Sequence, residues 1–231
     1  MAAGGLATVL RQSRGNQPFS IVLAGGSTPR GVHELLVTEP YRSILPWPRL
    51  HFFFGDERCV PPEHKDSNYR MAQETLFAKA PIAAEQVHRI PGEMEPAEAA
   101  RTYEVELARY FGRAQPVFDW VFLGIGDDGH TASLFPGSKA LGEKTAWASA
   151  NKVDNPIPWR VTLTYPILAQ AKTVAFLVSG ASKAPALREI FEGNKLPRPP
   201  AADVRPASGD RRWYADQAAV SLLKKTKGLR P

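Results

Sequence analysis

The chain has 231 residues, 43% of them hydrophobic and 23% charged, which suits one compact α/β domain. A single cysteine, Cys59, excludes a disulfide-stapled secreted domain, and no apolar run is long enough for a signal peptide or a membrane span, so we expect a soluble, cytoplasmic protein. The formal net charge of +6 indicates an anionic partner, and because no nucleic-acid-binding motif appears, we expect a small anion rather than nucleic acid.

Short apolar runs typical of buried strands alternate with helical patterns along the chain. In chain order, the predicted elements are a strand over Phe19–Ala24, a helix from Pro29 to about Val37, a strand over Leu50–Phe54, a helix capped by Ser67 and running to about Lys79, a helix over Pro96–Phe111, strands over Val117–Ile125 and Thr173–Val178, and helices over Ala184–Phe191 and Asp216–Leu223. Strands that are apolar throughout predict a mainly parallel sheet with helices on both faces. We expect residues 1–231 to form a single domain.

Polar, glycine-rich segments follow each of the four predicted strands. They are Gly25–Thr28, Gly55–Arg58, Gly124–His130 and Ser179–Lys183. In open α/β sheets, ligands bind beyond the carboxyl ends of the strands. The four segments are therefore expected to meet at one edge of the sheet and to form one site.

Two of these segments are suited to binding an anion. Gly25 and Gly26 allow close approach of the backbone, and Ser27 and Thr28 precede a helix whose free N–H groups favour a bound phosphate. Lys183 stands at the start of another helix, where a positive charge is unfavourable unless an anion binds beside it. The alternatives are that Gly25–Thr28 is an ordinary strand-to-helix turn and that Lys183 is simply exposed to solvent.

Three charged residues follow the second predicted strand directly. Because charges beside such an apolar strand must be solvated or paired, an ion pair of Arg58 with Asp56 or Glu57 is one interpretation. The functional interpretation is that the carboxylates of Asp56 and Glu57 orient a catalytic group while Arg58 binds an anion through two hydrogen bonds.

The strongest catalytic candidate is His130, on the third glycine-rich segment. An imidazole on such a loop can reach a crevice and has a pKa suited to proton transfer near neutrality. A neighbouring carboxylate, from Asp127 or Asp128, would fix its tautomer. The alternative is that His130 only caps the following turn.

Other chemistries fit the sequence less well. No two histidines have the spacing of metal ligands, and Cys59 has no partner histidine by sequence. Gly124 and Gly126 suggest a dinucleotide fingerprint, but Gly129 comes one position too early for its third glycine. We therefore expect neither a metal nor another cofactor.

Six segments, in this order along the chain, resemble the 6-phosphogluconolactonase family. They are Leu23–Pro29, Gly55–Pro61, Asp66–Tyr69, Leu123–Gly137, Arg160–Thr164 and Ser179–Ala184. The resemblance runs from about Phe19 to Ala219, and the segment around His130 is its most specific part. It implies a Rossmann-like α/β fold and metal-free hydrolysis of 6-phosphoglucono-1,5-lactone to 6-phosphogluconate. By position, it implies His130 as the catalytic residue and Arg58, Arg160 and Lys183, with the loop Gly25–Thr28, as phosphate-binding residues.

Two features depart from the family pattern. Ala24 stands where the family usually has serine, which weakens the match of the first loop. The N-terminal segment, with Gly4 and Gly5, is shorter than the family's usual first helix, and whether the natural start lies further upstream is left open.

The resemblance leads to a mechanistic hypothesis in which His130 acts as a general base on water. The orienting carboxylate is left open among Asp56, Glu57 and Asp128, as are the dominant phosphate ligand and the preferred lactone ring size. The oligomeric state is open too, and a monomer or weak homodimer is expected.

Two other functions compete with lactone hydrolysis. A glucosamine-6-phosphate deaminase or isomerase would have a glutamate five residues beyond the histidine, where this chain has Phe135. A non-catalytic sugar-phosphate sensor would bind the product without turning over the lactone.

Overall fold

The computed structural model describes residues 1–13, 15–112, 115–194 and 196–224. The strands, in chain order, are β1 (Phe19–Leu23), β2 (Leu50–Phe54), β3 (Asp56–Arg58), β4 (Trp120–Leu123), β5 (Ala148–Lys152), β6 (Trp159–Leu163), β7 (Thr173–Val178) and β8 (Asp210–Ala215). The α-helices are α1 (Ala2–Gln12), α2 (Ser27–Leu36), α3 (Tyr41–Ile44), α4 (Asn68–Thr75), α5 (Pro96–Phe111), α6 (Tyr165–Leu168), α7 (Ala184–Glu192) and α8 (Pro200–Asp203).

The predicted mainly parallel sheet is confirmed. Among the described residues it has five parallel strands in the order β2-β1-β4-β7-β8. Every residue of β1, β4 and β7 is buried, as expected of strands that are covered on both faces. The chain adds β2 on one side of β1 and later returns to add β4 on the other side. The carboxyl ends of β1 and β4 therefore form the topological switch point, where ligands bind in such folds.

A second, antiparallel sheet in the order β3-β6-β5 was not predicted from the sequence. It begins directly after β2, so the charged residues 56–58 form a short strand instead of a loop. In its register Asp56 lies opposite Thr162, and Arg58 lies opposite Arg160. The small sheet thereby brings residues from distant parts of the chain to the carboxyl edge of the large one.

The four helices predicted within the chain are present, whereas the short helices α3, α6 and α8 were not predicted. The bounds of α5 are those expected, and the side chain of Ser67 caps α4 by accepting a hydrogen bond from the N–H of Arg70. Helix α4 ends at Thr75, and a 3-10 turn continues over Phe77–Lys79. Helix α1 was not predicted. None of the helices in the described ranges is both long and apolar enough to cross a membrane.

The helix predicted over Asp216–Leu223 is wrong, because this segment forms only turns. The carboxylate of Asp216 accepts hydrogen bonds from the Ser179 hydroxyl at 2.6 Å, the Gly180 N–H at 3.0 Å and the Ala219 N–H at 2.8 Å. It therefore ties the segment to the loop after β7 and does not start a continuous helix. The preceding residues form β8, an edge strand whose charged sequence does not look like a buried strand.

Candidate active site

A cavity of about 310 Å³ lies at the carboxyl edge of the central sheet, beside the switch point. The segments that follow β1, β2, β4 and β7 all reach it, among them the short strand β3 directly after β2, as does the loop between β5 and β6. The predicted site residues that line it are Gly25, Gly26, Asp56, Arg58, His130, Arg160 and Lys183. The other predicted residues, Ser27, Thr28, Glu57 and Asp128, are not among the residues of the described chain that line it. Four separate segments are thus brought to one site.

His130 is paired with Asp128. One carboxylate oxygen of Asp128 lies 2.6 Å from Nδ1 of the His130 ring and also accepts the backbone N–H of His130 at 3.0 Å. A carboxylate at Nδ1 favours the tautomer with the proton on that nitrogen, which leaves a lone pair on Nε2. Of the carboxylates considered from the sequence, Asp128 is the one whose geometry suits this orienting role.

A glycine makes room for this pair. A Cβ atom on Gly126 would lie 2.1 Å from Nδ1 of His130 and 2.6 Å from the Asp128 carboxylate. Both distances are far below van der Waals contact, so no residue with a side chain fits here without displacing the pair. The glycine-rich sequence before His130 therefore serves the geometry of the imidazole and not only the bend of the loop.

Asp56 belongs to a buried network instead of contacting His130. Its carboxylate accepts the hydroxyl of Ser133 at 2.6 Å and the side-chain amide of Asn68 at 3.1 Å. The same amide donates to the backbone carbonyl of Asp56, and a Cβ on Gly25 would lie 2.0 Å from the Asn68 side-chain oxygen. The network thus joins β3, the start of α4 and the loop that follows β4, with Gly25 close to the Asn68 side chain. Sequence reasoning missed both Asn68 and Ser133 as site residues, although each lies in a segment that carried the family resemblance.

Glu57 is directed to the N-terminus of α4. Its carboxylate accepts the backbone N–H groups of Arg58, Asn68 and Tyr69 at 2.7–2.8 Å and the hydroxyl of Ser67 at 3.0 Å. Burial raises the pKa of Glu57, and these backbone donors act in the opposite direction. Glu57 is therefore a buried residue that caps α4 and does not orient the imidazole of His130.

Two arginines form one side of the cavity. Arg58 and Arg160 lie opposite each other in the β3–β6 pair, and the side chain of Arg160 is almost fully buried. Within the described chain, their hydrogen bonds go to neutral oxygens. Arg160 donates to the side-chain oxygen of Asn155 at 3.2 Å, and Arg58 donates to the carbonyl of Asp66. Burial, together with the neighbouring charge of Arg58, lowers the pKa of Arg160. Such a cationic pair is stabilised when an anion binds between its members.

Lys183 adds a third positive charge to the lining. It ends a short 3-10 turn and caps the start of α7, as its sequence position suggested. Its amine lies 2.8 Å from a carboxylate oxygen of Asp127, and this hydrogen bond lowers the pKa of Asp127. Asp127 therefore partners Lys183, while Asp128 partners His130.

The first glycine-rich loop leads directly into α2. Gly26 has φ of +103°, a conformation that glycine adopts readily, and it caps the helix that Ser27 begins. Gly25 and Gly26 line the cavity, whereas Ser27 and Thr28 form the first turn of α2. The N-terminus of α2 thus begins at the rim of the cavity.

The thiol of Cys59 and the acidic and histidine side chains were the other candidates for chemistry in the sequence. Burial raises the pKa of Cys59 to about 11, so its thiol is not activated as a nucleophile. Within the ranges that the structure describes, no three His, Cys, Asp or Glu side chains are grouped so as to hold a metal ion.

Comparisons with known proteins match most of the chain to one family. A family model described as glucosamine-6-phosphate isomerases/6-phosphogluconolactonase matches residues 2–213. The 6-phosphogluconolactonase of Haemophilus influenzae is 41% identical over 210 residues, covering 90% of this chain and 89% of the relative. That of Synechocystis is 42% identical over 212 residues, covering 89% and 85%. Among solved structures, the 6-phosphogluconolactonase from Trypanosoma cruzi superposes with a TM-score of 0.87 at 32% identity, covering 97% of this chain and 92% of that one.

Proposed function

Because the chain belongs to the family of glucosamine-6-phosphate isomerases and 6-phosphogluconolactonases, we propose that it is a lactone hydrolase that converts 6-phosphoglucono-1,5-lactone to 6-phosphogluconate, the second step of the oxidative pentose phosphate pathway. The observation that carries this proposal is the Asp128–His130 pair at a cavity with three cationic side chains. The pair supplies a general base, and the cations suit an anionic substrate.

In the first step, Nε2 of His130 removes a proton from a water molecule while the water oxygen attacks the C1 carbonyl of the lactone. The carbonyl π electrons move to the oxygen and give a tetrahedral oxyanion. The hydrogen bond from Nδ1 to Asp128 stabilises the imidazolium that forms. General-base help of this kind contributes roughly 10²–10⁴-fold in rate.

In the second step, the tetrahedral intermediate collapses and the bond between C1 and the ring oxygen breaks. The imidazolium of His130 returns its proton to that oxygen, which becomes the free hydroxyl of 6-phosphogluconate. The imidazole is thereby regenerated in its starting form. One water molecule is consumed, the carboxylic acid formed at C1 loses its proton to solvent to give the carboxylate, and this scheme needs no cofactor.

The cationic lining selects the phosphorylated substrate. Arg58 and Arg160 stand side by side, and Lys183 and the N-terminus of α2 complete the positive surroundings. Asp56, in contrast, contributes a carboxylate that is already engaged by Ser133 and Asn68. The phosphate group binds to this cationic set, and the lactone ring extends from it towards His130.

We also propose that the whole chain forms one lactonase domain and acts in the cytoplasm as a monomer or weak homodimer, with the small-molecule substrate as its partner. The family match from residue 2 to residue 213 supports the single domain, since it leaves little chain outside.

The proposal is tested by following lactone hydrolysis directly, with and without the protein, on the 6-phosphorylated lactone and on its unphosphorylated counterpart. We expect strong acceleration with the phosphorylated lactone and a much smaller effect with the other. Binding of 6-phosphogluconate without any acceleration would overturn the proposal and identify a sensor of sugar phosphates.

A further inference from the structure

An aromatic ring lies flat on the candidate catalytic imidazole. The centroids of Phe135 and His130 are 3.9 Å apart, and their planes are inclined by 24°. Both residues line the cavity, so the stacked pair forms part of its wall. The mechanism above makes no use of Phe135.

The hydrogen bond to Asp128 alone does not fix the orientation of His130. It holds Nδ1, but the ring can still turn about the axis of that bond and move Nε2 away from the cavity. Asp128 is itself about half exposed and lies only two residues away on the same loop. A contact on the face of the ring restricts the remaining rotation, and Phe135 supplies that contact.

The backbone between the two residues is arranged to bring Phe135 back over His130. Thr131 and Leu134 pair with each other across a tight turn, and Leu134 is fully buried. Within this turn Ala132 has φ of +47°, a conformation that costs a non-glycine residue free energy. Such strained residues persist where the surroundings hold them, commonly at functional sites. The position of Phe135 is therefore set by a folded turn and not by a free side chain.

We propose that Phe135 is a positioning residue that sets the plane of the His130 ring, so that Nε2 faces the lactone carbonyl, and that its ring face stabilises the imidazolium formed after proton transfer. The inference rests on the proposed function. The face of an aromatic ring carries partial negative charge and attracts a cation placed over it. Because His130 is cationic only after it has taken the proton from water, this attraction is larger in the intermediate than in the resting enzyme. The contact therefore acts on turnover more than on substrate binding.

The test compares Phe135→Leu with Phe135→Tyr in steady-state hydrolysis of the phosphorylated lactone. Leucine keeps apolar bulk but has no ring face, whereas tyrosine restores the ring. Phe191→Leu is the matched control, because Phe191 also packs on another ring, that of Trp213, at a centroid distance of 5.1 Å outside the cavity lining.

We expect Phe135→Leu to lower kcat by about tenfold, with KM changed by less than about twofold. Phe135→Tyr recovers kcat to within about threefold of the parent protein, and Phe191→Leu leaves both constants unchanged. Three outcomes would overturn the inference: an unchanged kcat in Phe135→Leu, equal losses in the leucine and tyrosine variants, or a change confined to KM. A parent protein without lactonase activity would overturn the proposed function as well, which separates that failure from the other three.

Discussion

Replacing Gly126 by alanine tests whether the precise placement of the Asp128–His130 pair matters for turnover. The new Cβ would lie 2.1 Å from Nδ1 of His130, and ordinary contact begins at 3.4 Å, so the ring must move by more than about 1 Å. Gly126 is not among the glycines with a left-handed backbone conformation, so alanine is compatible with the main chain. The displaced side chains are partly exposed, which makes a large loss of stability unexpected.

A displacement of this size at a reacting group costs about 10²-fold in rate, equivalent to about 2.7 kcal/mol. We therefore expect Gly126→Ala to lower kcat by about that factor, with KM and the unfolding midpoint little changed. The matched control is Gly142→Ala, because a Cβ on Gly142 meets no atom of the described residues within 4 Å. A Gly126→Ala protein with the kcat of the Gly142→Ala control would show that the arrangement of the pair does not limit turnover, and would refute this reasoning.

Three further predictions concern the surroundings of the site and the stability of the fold. Asn68→Ala removes the buried amide that donates to Asp56, so we expect the free energy of unfolding in denaturant titrations to fall by about 1–3 kcal/mol. An unchanged denaturant midpoint would show that these hydrogen bonds do not stabilise the fold. Lys183→Ala should raise KM for the phosphorylated lactone much more than for the unphosphorylated one, and equal changes would argue against a phosphate contact. His51 and His88 have ring nitrogens 3.0 Å apart, and burial lowers the pKa of both. The folded protein therefore favours the neutral rings, and their contribution to the free energy of unfolding is present above the unfolded-state pKa of 6.5 and is lost as the pH falls below that value. The denaturant midpoint should therefore fall as the pH is lowered from about 7 to 5, and it should fall less in His51→Phe. An equal dependence of the midpoint on pH in both proteins would contradict the role of His51.

The sequence predicts the buried half of the fold well. The central strands β1, β2, β4 and β7 are mostly apolar and stand out from their surroundings, so their positions follow from hydrophobic patterning. The small sheet and β8 do not stand out, because β3 and β8 begin with charged residues and β5 is made mostly of small and polar ones. Such strands are specified by their pairing partners, which a local pattern does not contain.

The candidate site is predictable to the level of segments but not of contacts. The rule that ligands bind at the carboxyl edge of a parallel sheet brings four loops together, and the structure places them around one cavity. The partner of each carboxylate depends on contacts between residues that are far apart in the sequence. Asp56 meets Ser133, 77 positions along the chain, and Glu57 meets the start of α4, so neither contact can be read from spacing. The pairing of Asp128 with His130 is local and was among the alternatives that the sequence left open.

The central claim, that His130 carries out lactone hydrolysis, is tested most directly by a coupled assay. The lactone is generated in place from glucose 6-phosphate by its dehydrogenase, and the appearance of 6-phosphogluconate is followed with the parent protein, with His130→Asn and without protein. We predict acceleration by the parent protein that His130→Asn loses by at least about 10²-fold, while 6-phosphogluconate still binds to the variant. Equal acceleration by both proteins would contradict the assignment of His130, and no acceleration by either would contradict the proposed function itself.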